Sequence, residues 1–509
     1  MIKKILFFIS ILLSISVMGQ QKYLSLAGNW AFKIDSLNAG ETEQWFNKPA
    51  SFFTQQIKLP GTMDDAHFGN PVKVLPELKR EVMLHLWRKV SYTGAAWYQK
   101  EIIIPAGWKD KYLEIFLERV IWETRIWIDG KPLNEIGESL VAPHTFNSSS
   151  FLQPGKHIIT LRIDNKREYD ISLGNANFAQ AYTDNTQIIW NGVIGKIGIN
   201  AKEKVFIENV QVYGDGESNS LKVTSSIYNE TNSTVETTLN FSILSTNNII
   251  SFDSTVLLNS GVTEINTTIK IKASIKRWDE FNPVLYGLTA TVKTSNGSDT
   301  KTTSFGFRKI KNAGAHLQIN GRPLFLRGTL ECSIFPKEGH TPMERAGWLR
   351  VFTIAKSYGL NHLRFHSWCP PEAAFAVADE LGFYLQVELP VWSLKIGKDA
   401  AADNFLKAEA DRIIKYYGNH PSFCFWSELA ARSLDSGDRS STKNSPMNQS
   451  SPRSTTKSSS NLSMRSNTPN KVPGLKPLPP PNTSTRNRLI VLSLPFPQAL
   501  VRRLSSKPL

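Results

Sequence analysis

Apolar and polar residues alternate with a period of two along short segments throughout residues 21–204. Clear examples are residues 98–104 (YQKEIII), 112–117 (YLEIFL) and 124–128 (TRIWI), with turns rich in Gly, Pro and Asp between them. The even spacing, without long helical periods, predicts a β-sandwich of the jelly-roll type for this part of the chain.

A second stretch, residues 205–312, keeps the same alternation but is richer in Thr, Ser and Asn. Residues 221–227 and 263–271 show the period most clearly. A stretch of this length and pattern predicts an immunoglobulin-like β-sandwich. The Cys…Trp…Cys signature of antibody domains does not occur in it.

After residue 312, strand-like and helix-like segments take turns. Strand patterns occupy residues 323–326, 361–365, 383–389 and 422–427, and helical patterns occupy residues 343–358, 370–381 and 404–417. Alternation of this kind predicts parallel strands joined by helices over residues 313–430.

The composition changes abruptly at residue 431. Residues 431–509 contain 17 Ser, a single Phe and no Trp, Tyr, His or Cys, and only residues 489–494 have a strand pattern. Such a segment buries too little apolar surface to offset its ordering entropy, so we expect disorder here. It also holds 13 Lys and Arg against 2 Asp, so most of the formal net charge of +15 belongs to this tail. The folded part is close to neutral, which argues against a nucleic-acid partner.

The first residues have the pattern of an export signal. Lys3 and Lys4 precede an apolar run over residues 5–18, and Val17 and Gly19 are small residues at signal-peptidase spacing. The run is shorter than the roughly 20 residues that span a bilayer, although an uncleaved anchor helix remains the alternative. We expect a signal peptide over residues 1–20, a secreted or periplasmic protein, and no membrane attachment after cleavage.

Cysteine usage excludes two kinds of site. Cys332, Cys369 and Cys424 are too few for a disulfide framework and have no metal-ligand spacing. We interpret them as small buried apolar residues. We assign no metal ligand and expect no cofactor, and metal dependence stays open.

Several motifs, taken in order, resemble family 2 glycoside hydrolases of the β-galactosidase and β-glucuronidase kind. In the first β-region they are residues 26–30 (LAGNW), 59–62 (LPGT), 97–98 (WY), 127–130 (WIDG) and 190–195 (WNGVIG); in the last region they are residues 319–328 (INGRPLFLRG), 361–366 (NHLRFH) and 418–422 (GNHPS). The resemblance covers residues 22–430. It implies a sugar-binding jelly roll, an immunoglobulin-like domain and the first half of a TIM (β/α) barrel, followed here by the basic tail.

The resemblance also implies chemistry that this sequence interrupts. Family members are retaining glycosidases with two glutamates, an acid/base that follows an Asn after the fourth barrel strand and a nucleophile after the seventh. Here residues 428–432 read ELAAR, with Ala431 in place of the Asn and Arg432 in place of the acid. Glu428 is the nearest carboxylate but lies too early, so no catalytic residue is assigned. We interpret the change as a frameshift near codon 431, in the gene or in its sequence record.

Five residues at the carboxyl ends of the predicted barrel strands are candidate substrate contacts. They are Glu331, Arg364, His366, Glu388 and Trp392. Barrel enzymes place substrate contacts at these ends; charged groups hydrogen-bond sugar hydroxyls or a sugar acid, and Trp stacks on a ring. The alternative is an interior ion pair, such as Glu388 with Arg364. Trp368 fits either the pocket or the core, and Trp97, Trp122, Trp127 and Trp190 are interpreted as sandwich core rather than a sugar-binding strip.

The predicted function is hydrolysis of a terminal β-linked sugar from an oligo- or polysaccharide, with this chain inactive because the catalytic glutamates are absent. The alternative is a non-catalytic carbohydrate-binding remnant, and a basic tail that binds acidic polymers is a third reading. Arg364 favours a galactoside or a uronic sugar, and the oligomeric state stays open. Because four strands cannot close an eight-stranded barrel, we expect aggregation unless residues 313–509 are removed.

Overall fold

The computed structural model describes residues 22–72, 77–79, 83, 90–172, 178–244, 249–295, 297–393, 395–427 and 489–491. The predicted signal peptide, Glu428 and nearly all of the predicted tail lie outside these residues. Helices and strands are numbered in chain order below.

The first β-region forms two antiparallel sheets. Its strands are β1 (Tyr23–Ser25), β2 (Gly28–Asp35), β3 (Gln55–Leu59), β4 (Gly61–Thr62), β5 (Asn70–Pro71), β6 (Val90–Ser91), β7 (Ala95–Ile104), β8 (Tyr112–Arg119), β9 (Glu123–Ile128), β10 (Lys131–Pro132), β11 (Gly137–Glu138), β12 (His144–Asn147), β13 (Gly155–Asp164) and β14 (Gly192–Lys202). One sheet has the order β1-β14-β8-β12 with β4 on β14, and the other has the order β10-β9-β13-β7-β2-β3 with β11 on β9. Strands β5 and β6 form a separate pair.

Both large sheets contribute to one apolar cluster. Phe32 and Leu161 come from the sheet that contains β2 and β13, and Ile115 and Ile199 come from the sheet that contains β8 and β14. The region is therefore a sandwich, as the alternation predicts. Its aromatic residues Trp97, Trp122, Trp127 and Trp190 are all buried, which confirms that they belong to cores.

The second β-region is also a sandwich. Its strands are β15 (Val205–Asp215), β16 (Ser220–Asn229), β17 (Val235–Leu244), β18 (Ile249–Leu258), β19 (Gly261–Lys270), β20 (Tyr286–Thr294) and β21 (Gly297–Phe305). A three-stranded sheet, β15-β16-β19, faces a four-stranded sheet, β18-β17-β20-β21, across a core of Val, Ile, Leu and Phe. This two-sheet arrangement agrees with the predicted immunoglobulin-like sandwich.

A small antiparallel sheet follows, and it corrects one prediction. Strands β22 (Ile310–Ala313), β23 (His316–Ile319) and β24 (Arg322–Leu324) pair in sequence order. The prediction that residues 323–326 open the parallel sheet was wrong, because Leu324 pairs antiparallel with Leu317. Asn320 and Gly321 have φ angles of 53° and 81°. An Asn-Gly pair with both φ angles positive is a strong hairpin signal, which joins β24 back onto β23.

The last region contains β25 (Gly328–Glu331), α1 (Arg345–Ser357), β26 (His362–Phe365), α2 (Glu372–Leu381), β27 (Tyr384–Val387), α3 (Ala400–Tyr417), β28 (Phe423–Ser427) and β29 (Leu489–Val491). Strands β25 to β28 pair in parallel in that order, and β29 pairs antiparallel with β28. The predicted parallel pairing is confirmed. Within the described residues the sheet does not close into a barrel.

The parallel sheet and the first sandwich share one apolar cluster. Trp122, Ile171 and Trp190 of the first region pack in it with Trp348 and Phe405 of α1 and α3. Of the cysteines, Cys369 and Cys424 are buried as predicted, whereas Cys332 is half-buried. No helix in the described ranges has the length and apolar character that crossing a membrane requires.

Candidate functional site

The carboxyl ends of β25, β26 and β27 lie side by side. Parallel pairing sets Leu330 opposite Arg364, and Arg364 opposite Gln386. Because neighbouring parallel strands end at the same edge, the polar residues at and after these ends converge there. This edge is where the sequence predicts the substrate contacts.

Glu388 is the centre of the cluster. One carboxylate oxygen, Oε1, accepts a hydrogen bond from Arg364 Nε at 2.6 Å. The other, Oε2, lies 2.9 Å from His366 Nδ1 and accepts the backbone N–H of Ser367 at 3.0 Å. The side chain of Glu388 is only 7% exposed. The structure thus brings together three of the five predicted residues, and the ion pair weighed as an alternative is present.

The cluster holds Glu388 as a fixed anion. Burial opposes its charge, but the hydrogen bond with His366, the charge of Arg364 and the N–H of Ser367 outweigh burial and hold the pKa of this carboxyl below its usual value. Since an ionised carboxylate only accepts hydrogen bonds, His366 carries its proton on Nδ1 and presents Nε2 away from Glu388.

Two groups of the cluster face outward. The Arg364 side chain is 29% exposed, and no described residue accepts a hydrogen bond from its two terminal nitrogens. His366 Nε2 likewise has no hydrogen-bond partner among the described residues. A guanidinium fork and an imidazole nitrogen, both oriented by one buried carboxylate, can bind a polar or anionic ligand.

Glu331 lies at the same edge, where its backbone O accepts the His366 N–H at 2.9 Å. Its carboxylate makes no hydrogen bond to the Arg364–His366–Glu388 cluster. Its carboxylate turns back and accepts the backbone N–H groups of Ser333 and Ile334, both at 3.0 Å. Burial raises its pKa to about 7, although these two hydrogen bonds act in the opposite direction. Burial raises the pKa of the neighbouring Cys332 thiol, and the charges of Glu331 and Glu388 add to that rise.

Trp392 follows β27 in the chain, and its side chain is 36% exposed. Its backbone N–H donates to Ile171 O at 2.7 Å, which ties it to the first sandwich. Trp368, by contrast, is 1% exposed and belongs to the shared core. The uncertainty that the sequence left about Trp368 is thereby resolved in favour of the core.

The first region supplies a wall that the sequence did not reveal. The Ser367 hydroxyl accepts the backbone N–H of Gln180 at 3.0 Å, and the Ser333 hydroxyl donates to Gln187 Oε1 at 3.1 Å. Thr186 Oγ1 donates to Cys332 O at 2.6 Å. Residues 178–190 therefore line the turns after β25 and β26.

Ser333 and Ser367 have φ angles of 55° and 43°. Positive φ at a residue with a side chain is a strained conformation that surrounding contacts must hold. The hydrogen bonds to Gln187 and Gln180 supply such contacts, so the wall also fixes the shape of both strand-end turns.

A cleft of about 550 Å³ lies elsewhere, between the second sandwich and α3. Its polar groups bond to one another across that contact; Gln211 Nε2 donates to Ile414 O at 2.7 Å, and Lys415 pairs with Glu208 at 2.8 Å. None of the predicted site residues lines it. We therefore place the candidate site at the strand ends. Across the described ranges, His, Cys, Asp and Glu side chains form no group suited to hold a metal.

Residues 23–175 match the family model described as "Glycosyl hydrolases family 2, sugar binding domain", and residues 205–308 match the model described as "Glycosyl hydrolases family 2". The two matches together span about half of the chain. The chain belongs to glycosyl hydrolase family 2. This confirms the resemblance that the ordered motifs indicate.

Curated proteins resemble the chain over two thirds or more of its length. A putative beta-glucuronidase from Formosa agariphila is 24% identical over 366 residues, which is 67% of this chain and 41% of that protein. A beta-galactosidase from Thermoanaerobacter pseudethanolicus is 23% identical over 407 residues, which is 76% of this chain and 52% of that protein. The chain spans about half the length of these curated relatives.

The crystal structure of Bacteroides uniformis beta-glucuronidase has a TM-score of 0.65 to this chain at 18% identity, and the match covers 82% of this chain and 49% of that one. At this identity the likeness shows a shared fold. The family 2 acid/base position predicted at residues 428–432 lies outside the described residues.

Proposed function

We propose that Arg364, His366 and Glu388 bind the terminal β-linked sugar of an oligo- or polysaccharide. The observation that carries this proposal is the outward-facing pair of groups, Arg364 and His366, held by one buried carboxylate. Pockets for polar ligands combine a few fixed polar groups of this kind with apolar walls. In the same proposal, Glu331 lines the pocket and Trp392 forms its rim.

The proposed pocket is that of a family 2 β-glycosidase that hydrolyses terminal β-O-glycosidic bonds with retention. In this proposal β25 to β28 with α1 to α3 are the first half of a TIM barrel, and the domains occupy residues 21–204, 205–312 and 313–430. Retention needs two carboxyl groups about 5 Å apart, one to donate a proton and one to attack the anomeric carbon. Glu388 suits neither role, because both of its oxygens are engaged.

This chain is expected to bind sugar without cleaving it. Residues 428–432 read ELAAR where the family motif has Asn followed by the acid. We propose a frameshift near codon 431 as the cause, and export through the signal at residues 1–20. Translation of the other two reading frames tests the frameshift; if neither contains Asn-Glu and further strand–helix units, this explanation is wrong.

The sugar is proposed to be a galactoside or a uronic acid. The two terminal nitrogens of Arg364 donate to no described residue, and such a guanidinium fork matches a sugar carboxylate bidentately. The curated relatives described above carry the names beta-glucuronidase and beta-galactosidase, which agrees with both choices.

Calorimetric titration of the full chain with methyl β-D-glucuronide and methyl β-D-galactoside tests the binding. We expect saturable binding of one of them, weakened at least tenfold by Arg364→Ala and unchanged by Arg350→Ala, which removes an exposed arginine of α1. Failure of both sugars to bind would overturn the proposal.

Assays with nitrophenyl β-glycosides distinguish the enzyme from the alternative, a non-catalytic carbohydrate-binding remnant. Binding without turnover favours the remnant for the chain as it stands. Turnover that Glu428→Gln abolishes would show that Glu428 supplies the acid and that our interpretation of residues 428–432 is wrong.

A further inference from the structure

Two exposed aromatic rings, from Phe178 and Trp392, are in contact with each other. Phe178 is 38% exposed and Trp392 is 36% exposed. Their ring centroids are 5.1 Å apart, and the ring planes make an angle of 77°. An edge-to-face contact uses one face of one ring, so the pair keeps ring faces available for another partner.

The backbone on both sides of the pair is held in place. The Phe178 N–H donates to Ser172 Oγ at 2.7 Å, and Trp392 forms a parallel bridge with Ser172. The Trp392 N–H donates to Ile171 O at 2.7 Å. The rings come from two different regions of the chain, yet one short segment positions both, so little ordering entropy is lost when a ligand stacks on them.

A short segment of chain joins the pair to the Arg364–His366–Glu388 cluster. Trp392 follows Glu388 by four residues, so their Cα atoms are at most about 14 Å apart. The chain between them is compact, since Val391 N–H donates to Leu389 O at 2.7 Å and both of these side chains are buried. This upper bound is compatible with a disaccharide that extends from the cluster to the rings.

The surroundings of the pair are polar. Asp170 accepts hydrogen bonds from Lys395 and Arg167 on the flank of the same segment. Flat apolar rings framed by charged groups are suited to a ligand that has both an apolar face and a rim of hydroxyls. A pyranose ring has this character, because its axial C–H groups form one face and its hydroxyls point outward.

We propose that Phe178 and Trp392 form a stacking subsite for the sugar unit next to the terminal one. The site then selects disaccharides and longer chains over single sugars. This inference rests on the proposed function, because the terminal sugar must be bound by the Arg364–His366–Glu388 cluster for its neighbour to reach the rings.

Calorimetry with matched ligands tests the subsite. Methyl β-D-galactoside is compared with lactose, and methyl β-D-glucuronide with a β-glucuronosyl-glucose disaccharide, on the full chain. We expect the disaccharide to bind about three- to tenfold more tightly than its methyl glycoside, as one stacking contact provides. Phe178→Leu and Trp392→Leu should each abolish that advantage, and Phe178→Leu should leave the affinity for the methyl glycoside unchanged.

Matched variants separate stacking from general damage. Trp392→Phe keeps a flat face and should retain much of the advantage, and Phe281→Leu, which alters an exposed ring far along the chain, should retain all of it. Quenching of tryptophan fluorescence by the disaccharide, lost in Trp392→Phe, would place the ligand on Trp392.

The failure of the subsite differs from the failure of the proposed function. Equal affinity for the disaccharide and the methyl glycoside overturns the subsite and leaves the proposed function standing. No binding of any of the four ligands overturns the proposed function and the subsite with it.

Discussion

Glu331 is the last residue of β25, and its carboxylate accepts two backbone N–H groups of the turn that follows. Burial raises the pKa of this carboxyl to about 7. An unfolded glutamate has a pKa near 4.3, so between these values the folded chain holds a proton that the unfolded chain has released. The contribution of Glu331 to stability is therefore largest at acid pH, falls as the pH rises towards 7, and is constant above that.

Glu331→Gln should remove this pH dependence. The wild type loses stability as the pH rises from 5 to 8, and the variant does not. The free energy of unfolding of the variant, measured relative to the wild type, should therefore increase over this range by on the order of 1 to 2 kcal/mol. A constant loss is superimposed, because the amide replaces one of two hydrogen-bond acceptors. Thermal unfolding at a series of pH values measures both effects.

Glu338→Gln is the matched control, since Glu338 is an exposed carboxylate on the same loop. It should leave the pH profile of stability as in the wild type. Parallel profiles for Glu331→Gln and the wild type would contradict the raised pKa.

Part of the site follows from the sequence at the scale of single residues. Arg364, His366 and Glu388 were predictable, because polar residues at the ends of apolar parallel strands must converge. Phe178, Gln180 and Gln187 were not, because their contacts with the strand ends are distant along the chain; the bond from Gln180 to Ser367 spans 187 positions. The direction of the Glu331 carboxylate could not be predicted from the sequence either, because the conformation of the following turn determines it and the strand pattern does not.

At the scale of elements, α3 shows what a single capping residue determines. Periodicity predicted a start at residue 404, but the helix begins at Ala400. Asp399 is the cause, since its side chain accepts the backbone N–H groups of Ala401 and Ala402 at 3.1 and 3.2 Å. These are N–H groups that a helix start leaves without intrahelical partners.

Asp399→Ala should lower the free energy of unfolding by about 1 kcal/mol, the usual value of an amino-terminal cap. Urea unfolding followed by circular dichroism measures the loss. Asp399→Ser keeps a capping oxygen without the charge and should restore most of the stability. If serine is no better than alanine, the cap does not explain the start of α3.

The elements of the chain were otherwise predictable where their periodicity was long and regular. Strands β7, β8 and β16 and helix α2 lie within a few residues of the segments expected from the pattern. The first parallel strand was misplaced because residues 323–326 carry an apolar run. The Asn320-Gly321 turn uses part of that run for a hairpin, and turn chemistry prevailed over hydrophobicity.

At the scale of the whole molecule, the first sandwich and the parallel sheet are joined by both apolar and polar contacts. Besides the shared cluster, Glu409 of α3 is fully buried. Its Oε1 accepts hydrogen bonds from the Ser139 hydroxyl and the Leu140 N–H, both at 2.8 Å. Arg119 of the first sandwich donates in turn to Cys369 O at 3.1 Å. Neither region completes its core without the other.

This arrangement changes the expectation for a shortened chain. The sequence predicts that removal of residues 313–509 prevents aggregation, because it eliminates the open edge and exposed apolar face of an unclosed barrel. In the structure β25 is at one edge of the parallel sheet, and its Leu330 is 47% exposed. Removal would also uncover Trp122, Ile171 and Trp190. We therefore expect a fragment of residues 21–312 to bind several-fold more of a hydrophobic dye than the full chain and to sediment as oligomers.

A paired substitution tests the cause. Ile171→Gln with Ile188→Gln should reduce dye binding by the fragment, where these positions become surface, and destabilise the full chain, where they are buried. A monomeric fragment with little dye binding would refute the shared core as a source of stability.

The wall formed by residues 178–190 has a consequence for protein engineering. A designer who transplants the parallel strands and their helices into another scaffold leaves behind the partners of Ser333 and Ser367, and both turns then lose the bonds that hold their strained backbone. A chimaera that exchanges the first sandwich alone alters the same turns from the other side. The first sandwich and the parallel strands should therefore be transferred together. In recombination libraries, the crossover points should lie outside the segment that contains both.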